Sequence, residues 1–98
     1  MPAEELLARA CGILGVGPEA LSARGRGREA SRLRYLVAAL AVERWRARVG
    51  AIGEVVGRRP EVVGRWVRRG AEMQRSDREF RSAYDRLDRA LASDAQAE

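Results

Sequence analysis

Residues 48 to 70 read Arg-Val-Gly-Ala-Ile-Gly-Glu-Val-Val-Gly-Arg-Arg-Pro-Glu-Val-Val-Gly-Arg-Trp-Val-Arg-Arg-Gly. Val49, Ile52 and Val56 fall at helical spacing and give a short helix one buried side. Gly57 is placed to end that helix in a left-handed conformation. Pro60 suits the first turn of the next. In that second helix Val62, Val63, Trp66 and Val67 share one face, and Glu61, Gly64, Arg65 and Arg68 share the opposite one, with Arg69 beside them. Two short amphipathic helices around a glycine turn, the second with arginines on its free face, form the pattern of a helix-turn-helix. In that pattern the second helix, about residues 60–69, enters the DNA major groove. Trp66 is expected to pack under the turn against Val56.

The flanking sequence supplies a helical frame. Leu6, Leu7, Ala10, Cys11 and Leu14 mark a first amphipathic helix ended by Gly15 and Gly17, and a short second helix follows Pro18 through Leu21. Residues 24–28 form a basic loop carrying Arg24, Arg26 and Arg28. Residues 29–46 are expected to be a central helix, with Leu33, Leu36, Val37, Leu40 and Ala41 on one stripe and Tyr35, Ala38, Ala39, Val42 and Trp45 on a second. Ser76 with Glu79 reads as a capping box opening a last helix. Phe80, Tyr84, Leu87 and Leu91 line its packing side, with Asp77–Arg81 and Asp85–Arg89 as i,i+4 pairs on the other. Residues 93–98 are expected to fray. The fold class is therefore all-α, about six helices around a long central one, in a single domain with its core at about 3–92.

Composition narrows the function. The chain has 98 residues, a formal charge of +5 and 19 basic residues, all arginine. Such a basic balance points to an anionic partner, nucleic acid first. The total absence of lysine reflects compositional bias, so the placement of the arginines is more informative than their number. There is no histidine, which removes the commonest general base and metal ligand. One cysteine, Cys11, supports neither an internal disulfide nor a cysteine-rich zinc site. No glycine-rich phosphate loop with its lysine is present. No apolar run approaches a membrane span. The chain is expected to be a non-enzymatic, cytoplasmic, nucleoid-associated module without cofactor, metal or small-molecule substrate.

The order of basic loop, central helix and helix-turn-helix resembles a known family. Arg24-x-Arg26-x-Arg28, Ser31-Arg32-x-Arg34, Ile52-Gly53-Glu54 and Gly57-Arg58 are similar to the C-terminal double-stranded-DNA-binding domain of the bacterial replication initiator DnaA, a Trp-repressor-like helical fold. Some repeat-associated bacterial transposases carry the same module. The similarity runs from about Leu6 to Leu91. It implies a fold of this type and a minor-groove contact from Arg26. The family continues Gly-Arg with Asp-His-Thr-Thr-Val, whose polar side chains read base edges. This chain has Arg59-Pro60-Glu61-Val62-Val63 there, so recognition of the family's replication-origin box is not expected.

The expected function is double-stranded DNA binding, as a module of a replication- or transposition-related protein, with other domains of a parent chain as further candidate partners. Arg24, Arg28, Arg32, Arg34, Arg58 and Arg69 are the candidates for phosphate contacts, which set register. Arg59, Glu61, Arg65 and Arg68 are the candidates for base edges, since arginine pairs with guanine O6 and N7 and glutamate accepts from cytosine N4. Gly64 would let the helix backbone approach the groove. The alternative is a protein–protein interaction module that keeps the fold without reading DNA.

Overall fold

The computed structural model describes residues 1–22 and 27–96. Six helices follow in order: α1 (Ala3–Leu14), α2 (Glu19–Ser22), α3 (Arg28–Trp45), α4 (Val49–Val56), α5 (Pro60–Ser76) and α6 (Arg78–Gln96). Among the described residues there is no strand, and the fold is all-α. Helix α3 is enclosed as its two apolar stripes require: Leu36 through Ala41 are all buried. It packs most extensively on α5 and also meets α1, α2, α4 and α6. The core closes with Leu6, Leu7, Ala10 and Cys11 from α1, Ile52 and Val56 from α4, Val63 from α5, and Phe80, Tyr84, Leu87 and Leu91 from α6. Removing each large aliphatic residue of this set from water contributes roughly 1.5–3 kcal/mol.

The turn between α4 and α5 is built as the glycines imply. Gly57 has φ +72°, a left-handed cap that glycine adopts without steric cost. The Gly57 and Arg58 amides both donate to the Gly53 carbonyl, at 2.8 and 3.0 Å. Gly53 is buried, and a side chain there would run into the Arg58 carbonyl. Pro60 occupies the first turn of α5, where its missing N–H costs nothing.

Three expectations need correction. First, α5 does not end near Arg69; it continues to Ser76. Gly70 is buried at the crossing of α5 over α3, against the Tyr35 carbonyl and the Ala39 side chain. Second, Ser76 does not cap α6. Its hydroxyl donates back to the Glu72 carbonyl at 3.1 Å, within α5. Asp77 takes the cap, accepting from the Phe80 amide at 3.1 Å. Third, Asp77 pairs across the fold with Arg32 at 2.6 Å rather than along α6 with Arg81, which pairs with Asp85 at 3.4 Å. Residues 93–96 are helical, and Asp94 is bonded to Arg9 of α1 at 3.0 Å; residues 97–98 of the tail lie outside the described residues. Trp66 packs against the core but is only half-buried, while Val63 of the same face is fully enclosed.

Tyr84 is a packing residue. It is 1% exposed, and its hydroxyl donates to Glu43 at 2.7 Å. Burial first, then the Glu43 carboxylate, pushes its pKa far up. No helix among the described residues is long and apolar enough to cross a membrane.

Candidate nucleic-acid interface

The phase of α5 is fixed by its contacts. Val63 and Gly70 are buried toward the core, and Val62, Trp66, Val67 and Met73 pack beside them at the margins. The remaining side is open. Glu61, Arg65, Arg68 and Arg69 are all exposed there, as the spacing requires. Gly64 lies among them, and the nearest atom to a side chain placed on it would be the Arg68 guanidinium at 3.7 Å. The continuation of α5 adds Arg75, exposed and seven residues beyond Arg68. Seven residues are about two turns, so Arg75 extends the same face. The spacing of Arg75 was legible; ending the helix near Arg69 concealed it.

Arg58 and Arg59 precede α5, Arg58 half-buried and Arg59 exposed. They line a hollow at the α4–α5 turn with Gly50, Gly53, Gly57 and Pro60. Arg28 is the first residue of α3 rather than part of a loop, and it is exposed. Arg28, Ser31, Arg32 and Tyr35 of α3 line a second open cleft together with Arg69 and Met73 of α5. The start of the central helix and the middle of α5 thus share one basic cleft. The N-terminus of α3 carries no side-chain cap.

Several of these cations already have neighbours. Arg32 holds Asp77 and lies 5.6 Å from the Phe80 ring centre. Arg34 is half-buried with its guanidinium 6.0 Å from the Trp66 ring centre, a contact between α3 and α5. Arg69 is 5.9 Å from the Tyr35 ring and 3.2 Å from Glu72. An exposed pair such as Arg69–Glu72 is worth only about 0–1 kcal/mol, so a phosphate can replace it. The Arg32 guanidinium, followed by the Phe80 amide, holds the Asp77 carboxyl below the ordinary carboxylate range. Arg24 and Arg26 lie outside the described residues.

No group of three or more acidic, cysteine or histidine side chains that could hold a metal ion occurs among the described residues. Cys11 is buried, and burial followed by the nearby Glu19 charge pushes its thiol pKa up, away from the reactive thiolate. Comparison of the chain with family models, with curated proteins and with solved structures found no match.

Proposed function

We propose that this chain binds double-stranded DNA, with α4 and α5 acting as a helix-turn-helix and the open face of α5 in the major groove. The observation that carries this reading is the side-by-side placement of two basic elements. The open face of α5 offers Arg65, Arg68 and Arg75, and the cleft at Arg69 joins it to Arg28 and Arg32 at the start of α3. A duplex whose groove holds α5 presents its phosphate backbones beside that helix. Arg28, Arg32 and Arg69 then serve as phosphate ligands, while Arg65 and Arg68, with Arg59 and Glu61 at the helix start, meet base edges. Gly64 on the open face permits close approach of the backbone. The resemblance to the DnaA C-terminal domain and its transposase-linked relatives supports the same reading, and with it a role in replication or transposition at the nucleoid.

Binding of a labelled duplex over a salt series tests the proposal. With about five phosphate contacts the slope of log K against log salt is roughly −4 to −5. No binding at about 50 mM salt rejects it. Binding with a flat salt response rejects the arginine surface as the contact.

A further inference from the structure

A hollow of about 630 Å³ lies between α1, α2 and α4. Its floor is apolar, closed by Leu7, Leu21 and Val56, with Val55 41% exposed at the edge. Leaving an aliphatic side chain that open costs burial energy that a partner can recover. The rim has the opposite sign to the molecule as a whole. Among the described residues Glu4, Glu19 and Glu54 line it, no arginine does, and none of the three has an ion-pair partner. That is a local reversal of charge in a chain of net +5. Neither α1 nor α2 touches α5.

We propose that this groove is a docking site for a basic amphipathic helix of a partner protein, one that inserts a short apolar stripe onto Val55 and the floor and sets arginines or lysines against Glu4, Glu19 and Glu54. The charge complementarity selects this occupant. A helix laid into a groove reads as apolar anchors at i, i+3, i+4 and i+7. Carboxylates around the anchors favour flanking cations and oppose acidic partners. The described lining contains no residue of α5, but Glu54, Val55 and Val56 belong to α4, and Glu54 also lines the hollow of Arg58 and Arg59, so the two proposed sites adjoin at α4.

The test uses the full chain and a fluorescent synthetic peptide of about 18 residues. The peptide carries leucines at i, i+3, i+4 and i+7 and lysines on both flanks. A scrambled peptide of equal composition without an apolar face is the control. Saturable binding is expected, at least tenfold tighter than for the scrambled peptide. The variant Glu4→Gln/Glu19→Gln and, separately, Val55→Ser should each weaken binding at least fivefold while melting within a few degrees of the parent. Equal affinity of parent and variants overturns the proposal, as does equal affinity for the two peptides. Self-association of the chain that Val55→Ser abolishes assigns the groove to a second copy and also overturns it.

Discussion

A methyl group on Gly70 would lie 2.6 Å from the Ala39 side chain and against the Tyr35 carbonyl, whereas one on Gly64 would meet nothing closer than the Arg68 guanidinium at 3.7 Å. The two glycines of α5 therefore do different work. Gly70 permits the α3–α5 crossing, and neither neighbour there is a flexible chain end that can move aside. Gly70→Ala should cost at least about 1–3 kcal/mol through overpacking, which lowers Tm by several degrees or more for a domain of this size. Gly64→Ala should gain about 0.5–1 kcal/mol, because an exposed helix interior prefers alanine. Thermal melts of the two variants separate these effects. Duplex binding by Gly64→Ala adds a second readout: tighter folding with weaker binding is expected, because the methyl group occupies the space through which the backbone nears the groove. Unchanged affinity in that stable variant would remove close approach from the binding scheme.

At the level of helices, the length of α5 and the start of α6 carry the consequences. Arg75 prolongs the open face of α5 by about two turns past Arg68. Arg75→Ala should reduce the magnitude of the salt slope by about one and weaken binding on all duplexes alike, the signature of a phosphate contact. Loss of preference for one sequence would reassign Arg75 to base reading. Asp77 joins α6 to α3 by capping one helix and pairing with Arg32 of the other. Its carboxyl pKa is lowered in the folded chain, first by the Arg32 hydrogen bond. A depressed carboxyl stabilises the fold above its unfolded value, near 3.9. That contribution fades as pH falls from about 4 through the lower folded value. Asp77→Asn keeps a cap but removes the charge, so its stability deficit should be largest at neutral pH and shrink below about pH 4. Denaturant melts of parent and variant across pH 2–7 check the sign, and a deficit constant with pH would deny the ion pair any part in stability.

Across the whole molecule, the net charge of +5 is unevenly spread. Exposed arginines occur on α5 and at the start of α3, and also at Arg44, Arg46, Arg48 and along α6, whereas glutamates rim the groove of α1, α2 and α4. The two proposals divide the molecule accordingly, DNA on the α5 side and a cationic helix on the groove. Specificity of the proposed DNA binding belongs to this scale too. Arg59-Pro60-Glu61-Val62 replaces the Asp, His and Thr side chains with which the resembled family meets its replication-origin box. Each lost match costs roughly 1–3 kcal/mol. In competition between a labelled origin-box duplex and a scrambled duplex of equal composition, preference for the box should stay below about tenfold, roughly 1.4 kcal/mol. A larger preference would mean that the shape of the fold alone carries the family's specificity.

Helix number, the buried stripes of α3, the Gly57 cap and the exposure of Glu61, Arg65, Arg68 and Arg69 were all legible in the residues. Each depends on spacing or on a turn preference within a few neighbours, and such preferences act wherever the chain is placed. The length of α5, the cap of α6 and the surroundings of Arg32 and Arg34 were not legible. Gly70 has the same chemistry as a helix-ending glycine, and only the Tyr35 carbonyl and Ala39 pressed against it give it another use. Ser76 and Asp77 are both good caps in isolation. Asp77 holds that place beside Arg32, from which 45 positions separate it along the chain. Whether an arginine faces solvent, an aromatic ring or a carboxylate depends on which distant helix packs beside it. Local periodicity contains no information about such neighbours; only the packed arrangement of α3, α5 and α6 supplies it.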